Sequence, residues 1–459
     1  MRAASTRRVD LGQNRYTRAI LAQAWPVLVG QLAAIAYATL DTMMTGHASP
    51  DDLAALAVGG SVYFSVFVAL LGVVVALNPI LAQHFGAKDD AAVGAATAQG
   101  MWLALALSAV GSPVLFFSEL WLDWLQLSPT VSALSADYLA VSSLALPAAL
   151  FFRVLFALNT AILRPRVVMS VQILGLGVKV LLNQTLIFGG FGLPALGATG
   201  AALSTLVVYW TMLGVTWAWT RYDASYGRFS LRFAWPDAIL LKHQLRLGIP
   251  TGLSFAIEIT SFTFMALLVA RLGTSVIAGH QIIANLASVC FQVPIALGVA
   301  TATVTAHALG AGDAVKARRV AATGIRIGFV AASSLVLALW ALQGPILALY
   351  TDDVAVQRVA ATLLVYLLGF HVFDALQGIT GTVLRAYKVA VVPTLIYGST
   401  LWGVGLVGGY FVAFYPVFGA PRGAPGMWLM QAVALALTSL ALLAFLARVA
   451  RARLPASGA

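Results

Sequence analysis

Apolar runs long enough to cross a bilayer recur along the whole 459-residue chain, separated by short polar connections. A spanning helix needs about 20 mostly apolar residues. A window of that length predicts twelve helices, at 19–45, 54–84, 92–117, 131–151, 165–189, 195–219, 247–270, 277–309, 322–345, 357–383, 389–415 and 425–448. The second and eighth carry Pro79 and Pro294 and are expected to tilt or kink. Only 9% of the residues are charged, against about 25% in an ordinary soluble domain. So few charges cannot cover a water-soluble surface of this size but suit a lipid-embedded one. The fold class expected is an all-α membrane protein.

Charge placement gives an independent check on the helix count. With the N-terminus in the cytoplasm, the inner segments hold Arg2, Arg7, Arg8, Arg15 and Arg18; Lys88; Arg164 and Arg166; Arg221, Arg228, Arg232, Lys242 and Arg246; Lys316, Arg318, Arg319 and Arg326; Arg385 and Lys388; and Arg448, Arg451 and Arg453. The outer loops keep only Arg271, Arg358 and Arg422, while Asp51, Asp52, Glu119, Asp123, Asp352 and Asp353 collect there. This is the positive-inside bias, and one helix more or fewer would scramble it. The net charge of +11 therefore reports topology, not nucleic-acid binding. The first apolar segment is too long and too studded with polar residues for a signal peptide. A lone cysteine, Cys290, excludes an intrachain disulfide framework.

The longest polar stretch, 220–246, divides two halves that resemble each other. Pro26 and Pro250 are read as opening the first and seventh helices, 224 residues apart, and Gly86-Ala87-Lys88-Asp89 matches Gly310-Ala311-Gly312-Asp313 at the same offset. Leu163-Arg164 matches Leu384-Arg385 at 221, and Gly197 and Gly200 match Gly423 and Gly426 at 226. Six helices per half makes this a parallel repeat, as found in transporters that alternate access by rocking two bundles. The expected organisation is a terminal segment 1–18, a six-helix lobe 19–219, a linker 220–246, a second lobe 247–448 and a tail 449–459.

Of the sixteen acidic residues, thirteen fall in loops or near helix ends; the other three, Asp41, Glu258 and Asp374, are read as embedded in predicted spans. Ionised side chains at bilayer depth cost about 2.5–3.5 kcal/mol on insertion scales, so they usually line a pathway or cavity. Glu258 lies mid-helix and shares a face with Thr251, Ser254 and Ser261; Asp374 has His371 and Gln377 three residues to either side. Gly378 and Gly381 follow on a similar face and allow close approach of a helix or ligand. Two carboxylates in one low-dielectric cavity compete to stay charged, which makes a site that two cations occupy in turn. Gln281, Asn285, Ser288 and Gln292 form a polar face on the eighth helix, which reads equally as a cavity wall or as interhelical hydrogen bonding. Phe291 and Phe370 are candidate aromatic faces for a cation, although lone aromatics in membrane helices usually pack, and Asn183 of the fifth helix is a further candidate for the cavity lining. Asp41 sits near the outer end of the first helix, and pairing with Lys179 on the fifth is an equal alternative to a functional role. His84 and His307 are read as solvated or capping residues. No His/Cys cluster, phosphate-binding loop or catalytic triad appears, so neither an enzyme nor an ATP-driven pump is expected.

These residues carry a resemblance to the multidrug and toxic compound extrusion (MATE) family, NorM-like branch, over nearly the whole chain. It rests on Leu40-Asp41-Thr42-Met43-Met44-Thr45-Gly46, Pro250-Thr251-Gly252 running to Glu258, Ala278-Gly279-His280-Gln281-Ile282 with Asn285, Phe373-Asp374 to Leu384-Arg385-Ala386, and Phe191-Gly192-Leu193-Pro194 followed by Gly197 and Gly200. The resemblance implies two pseudo-symmetric six-helix bundles in a bacterial inner membrane and efflux of cationic drugs and dyes in exchange for Na⁺ or H⁺. It implies cation coupling by Glu258 and Asp374, which would hold the ion if it is Na⁺, and a second site at Asp41 with residues of the fifth helix. Lys179 stands where the family commonly has an uncharged polar residue, and Phe370 where relatives can carry Tyr. A monomer without cofactor is expected. The alternative is a lipid-linked saccharide flippase of the same superfamily, which would need a basic cavity for pyrophosphate.

Overall fold

The computed structural model describes residues 3–190, 192–231, 234–417 and 419–454, with side chains from Asn14 onward. Arg2, Phe191 and Arg232, and the side chains of Arg7 and Arg8, lie outside the described residues. Twelve helices are long and apolar enough to span: α1 Asn14–Ala48, α2 Pro50–Gly86, α3 Asp90–Phe116, α4 Pro129–Ala161, α5 Pro165–Ile187, α6 Gly197–Tyr222, α7 Ala238–Ala270, α8 Thr274–Gly310, α9 Ala314–Ala341, α10 Val354–Ala386, α11 Val391–Phe414 and α12 Gly423–Ala452. Each matches one predicted span.

Local chemistry sets the ends. Ser49 and Ser128 cap α2 and α4 ahead of Pro50 and Pro129, where a missing N–H costs nothing. Inside α2 the helix is interrupted at Ala76, because Pro79 has no N–H for the Val75 carbonyl; α8 runs through Pro294 unbroken. The largest difference from expectation is α4, which continues ten residues beyond the predicted Phe151. Arg153 closes the apolar window in the sequence, but in the fold its guanidinium is covered by the rings of Phe67 and Phe156 at 5.9 and 5.3 Å.

The repeat is written into the backbone. At the end of α2, Ala87, Lys88 and Asp89 donate to Gln83, Phe85 and His84; at the end of α8, Ala311, Gly312 and Asp313 donate to His307, Leu309 and Ala308. Lys88 and Gly312 both take left-handed backbone, φ 60° and 77°, the usual way to close a helix C-terminus. The next turn repeats too: Ile162, Leu163 and Arg164 donate to Leu158, Thr160 and Asn159, as Tyr387, Lys388 and Val389 do to Val383, Arg385 and Leu384. Leu163 and Lys388 are the left-handed residues there, φ 62° and 60°, so the offset is 225 and not 221. The Leu-Arg match is a coincidence: Leu163 and Arg164 lie past the end of α4, whereas Leu384 and Arg385 lie inside α10. Gly197 and Gly423 open α6 and α12 at φ 51° and 59°.

Neither Pro26 nor Pro250 opens its helix; both are interior. The chain divides into two compact units just after them, one of residues 29–252 and one of 1–28 with 253–459. The early part of α1 belongs with the second half because Ile20 and Ala24 join its core. The early part of α7 belongs with the first half, where Gln244 donates to the Ala96 carbonyl of α3 at 2.9 Å.

The connection between α6 and α7 is bound to the first unit rather than hanging free. Tyr226 donates to Asn159 Oδ1 at 2.5 Å, and Arg164 bridges Asp223 and Ser225 at 2.7 and 2.8 Å. Hydrogen bonds from Ser225 and Arg164 hold the Asp223 carboxyl well below the usual range. Gln99 and Trp102 of α3 donate to the carbonyls of Trp235 and Ala234 at 3.0 and 2.8 Å. Gly94 has no side chain because the Phe229 carbonyl occupies that space, 1.9 Å from where a Cβ would sit. Gly94→Ala is therefore expected to destabilise the protein by about 1–3 kcal/mol, as overpacking does. A melting temperature in detergent equal to wild type would show that the connection does not need this approach.

Candidate functional site

Glu258 is carried midway along α7, on a face that packs on α11 and α12. Ser254 bonds Thr394 at 2.8 Å, Ser261 donates to the Leu401 carbonyl at 3.3 Å and accepts from Gln431 at 2.9 Å, and Trp402 donates to the Ile257 carbonyl at 3.2 Å. The polar face of α7 is thus stitched to its neighbours on both sides of the carboxylate, fixing its depth and rotation. The α11 segment that carries Leu401 and Trp402, Gly398–Gly408, is wound as a π-helix, a rare geometry frequently found at functional sites. Its glycines allow the approach: a Cβ on Gly405 would meet Gln431 Oε1 at 2.5 Å.

Asp374 comes to the same place from α10. Its buried carboxylate accepts from Gln377 Nε2 at 3.0 Å, and the same nitrogen lies 3.4 Å from Glu258 Oε1. The amide is held in this orientation by Tyr397, the residue before the π-segment, whose hydroxyl donates to Gln377 Oε1. With its oxygen engaged, the amide presents its NH₂ to the acids. Gly381 leaves room for that hydroxyl, which a Cβ would approach to 2.9 Å. Neither carboxylate forms an ion pair among the described residues. Arg385, three turns further along α10, lies over the Phe255 ring at 5.6 Å instead. His371 is fully buried and both its ring nitrogens lack a hydrogen-bond partner, so it makes no pair with Asp374.

The other polar residues separate into groups. Gln281, Asn285 and Ser288 lie exposed along α8, and Asn285 accepts from Tyr350 at 2.9 Å. Phe291 packs on the backbone of Gly378, one turn past Asp374. Phe370 is no cavity face. It is buried between Phe262 and Trp428, ring centroids 5.7 and 5.5 Å away, because its side of α10 faces the helix core.

In the first unit Asp41 meets Lys179, with Nζ 2.8 Å from Oδ1. The ammonium also donates to Thr205 Oγ1 at 2.5 Å and the Ala201 carbonyl at 3.2 Å. Asn183, expected to line a cavity, is instead wholly buried, donating to the same Asp41 oxygen at 2.8 Å. The ammonium already occupies the position beside Asp41 that a mobile cation would take.

The duplication is also visible in comparison with known proteins. The MatE family profile matches twice, at residues 26–185 and 250–411, stretches offset by 224 at their starts and 226 at their ends. The chain belongs to the MATE family. It is 37% identical over 435 residues to the probable multidrug resistance protein NorM of Aromatoleum aromaticum, covering 94% of this chain and 93% of that one. It is 34% identical over 437 residues to the multidrug resistance protein PmpM of Pseudomonas aeruginosa, covering 94% and 91%. The crystal structure of the eukaryotic MATE transporter AtDTX14 superposes with TM-score 0.86 at 20% identity, covering 96% and 99%. This MATE protein is accordingly a multi-pass inner-membrane transporter, not an enzyme.

Sequence reasoning finds the two acids of the MATE chain's second unit but not the group that joins them. Gln377 is visible only as a neighbour of Asp374. Tyr397 carries no signal at all, sitting in an apolar run whose one oddity is its glycine content. The Asp41–Lys179 pair yields a test. Lys179→Met leaves a buried carboxylate unpaired and is expected to cost about 3–5 kcal/mol, most of it recovered in Lys179→Met combined with Asp41→Leu. Thermal melts of the single and double variants check this, and equal losses in both would show that the two groups are not a unit.

Proposed function

We propose that this protein exports cationic amphipathic compounds in exchange for inward-moving Na⁺ or H⁺, with Glu258 and Asp374 as the coupling site. The observation that carries the reading is that two membrane-embedded carboxylates share one amide nitrogen and form no ion pair among the described residues. Two adjacent acids in low dielectric cannot both stay ionised without a counter-charge. A proton, a sodium ion or an organic cation can supply it, and arrival of one then favours departure of another. That competition is antiport. A bound Na⁺ would use the two carboxylates; Gln377, already turned by Tyr397, can keep an N–H on whichever acid is charged.

Asp41 has a standing counter-ion, so in this chain coupling rests on the second unit. Gln281, Asn285 and Ser288, on the exposed face of α8, and Phe291 beside Gly378 supply polar and aromatic contacts for cargo. The two prolines at which the chain divides into units support rocking between alternate openings. Basic residues grouped at one set of helix ends favour both termini in the cytoplasm. The relatives named multidrug resistance proteins support drug efflux. A flippase for an anionic lipid-linked saccharide is less well supported, since one of the two basic groups in the first bundle is consumed by Asp41.

Glu258→Gln and Asp374→Asn are each expected to reduce efflux of a cationic dye to background while the protein still inserts. Proteoliposomes under an imposed Na⁺ or H⁺ gradient, one at a time, identify the coupling ion. Wild-type efflux in both variants would remove the carboxylates from the mechanism.

A further inference from the structure

Arg153 is a cation that the coupling mechanism does not use. It lies on α4 eight residues before the helix ends at Ala161, about 12 Å from that end at 1.5 Å per residue. Aromatic side chains surround it. Its guanidinium stands 5.9 Å from the Phe67 centroid and 5.3 Å from that of Phe156, within cation–π range. Tyr37, Tyr63 and Tyr209 are its electrostatic neighbours. Tyr63 and Phe67 stack one turn apart on α2, and Tyr209 of α6 tilts against Phe67 at 6.4 Å.

What this cluster lacks is an acceptor. Arg153 makes no ion pair among the described residues, and its Nε is buried without a hydrogen-bond partner. The Tyr63 hydroxyl, on a side chain only 9% exposed, is likewise unpartnered. Tyr37 has spent its hydroxyl on the Gln172 carbonyl at 2.5 Å. The one carboxylate embedded in this bundle, Asp41, is bound to Lys179 and Asn183. An embedded arginine normally pairs or faces water because an unmatched charge at that depth is costly. Here two unmatched donors are electrostatic neighbours: a planar guanidinium fork, whose geometry suits a carboxylate, and the Tyr63 phenol. The charge is also particular to this half of the repeat, since at the observed offset of 225 the counterpart of Arg153 is Gly378.

We propose that Arg153, with Tyr63, forms an anion subsite that takes the carboxylate of zwitterionic aromatic amphiphiles. The flanking rings of Phe67, Phe156 and Tyr209 contact the aromatic body of such a compound. The subsite makes the transporter discriminate between a cationic compound and the same compound carrying an added carboxylate. This rests on the export reading above and specifies its cargo.

The test uses everted membrane vesicles or proteoliposomes and two fluorescent probes that differ in one group: rhodamine B, a zwitterion, and its methyl ester, a cation. Wild-type protein is expected to transport the acid with a KM about tenfold below that of the ester, the value of one charged hydrogen-bonded contact. In Arg153→Gln the acid-to-ester ratio should fall to near one, and Tyr63→Phe, which keeps the stacked ring, should lower it part-way. Transport of both probes by the wild type with no preference for the acid overturns the subsite and leaves the export reading standing. A preference retained in both variants overturns it as well, as does an equal loss for acid and ester in each variant. If the wild type moves neither probe, the export reading fails and the subsite with it.

Discussion

A charge inside the hydrocarbon layer has no water to solvate it, so the protein must supply whatever stabilises it. This chain answers that constraint differently in its two units. In the first, Asp41 and Lys179 cancel each other, and Asn183, Thr205 and the Ala201 carbonyl complete the shell. In the second, Glu258 and Asp374 receive one shared amide and, among the described residues, no ion-paired cation. The first arrangement is closed, with its counter-ion covalently attached. The second remains short of positive charge, and an exchanger requires that shortage.

The shared scaffold makes the contrast sharper. Both halves end their second and fourth helices with the same three-bond turn and the same left-handed residue. Both open their sixth helix at a glycine with positive φ. Backbone geometry has been kept while the polar side chains have diverged. What is added in the second half is positional control: a π-wound stretch of α11 that brings Tyr397 onto Gln377, and three hydrogen-bonded contacts that lock α7 around Glu258. A carboxylate whose partners are fixed before a cation arrives loses less entropy on binding it.

Much of this was legible in the residues. The twelve spans follow from apolar length, and the largest error in their extent, at α4, has a physical cause. A window that counts charges treats Arg153 as exposed, whereas the ring of Phe67 from α2 and that of Phe156 on α4 itself cover it. The face of α7 bearing Thr251, Ser254, Glu258 and Ser261 was readable from helical period alone, and the pairing of Asp41 with Lys179 from charge. Phe370 and Asn183 were misjudged because a helical period says which residues share a face but not what that face meets. The offset of 221 failed for a related reason: identical dipeptides do not imply identical positions relative to a helix end.

By itself the sequence determined that this is a twelve-helix membrane protein with duplicated halves, and that its embedded acids are the residues to watch. Those properties depend on hydrophobic length, period and charge count, which are local. Only the tertiary structure decided that Glu258 and Asp374 share a donor, that Tyr397 orients it, that Lys179 closes the first site and that Arg153 faces unmatched into a ring of aromatics. Each of these is a contact between residues on different helices, and such contacts depend on how the helices rotate and pack.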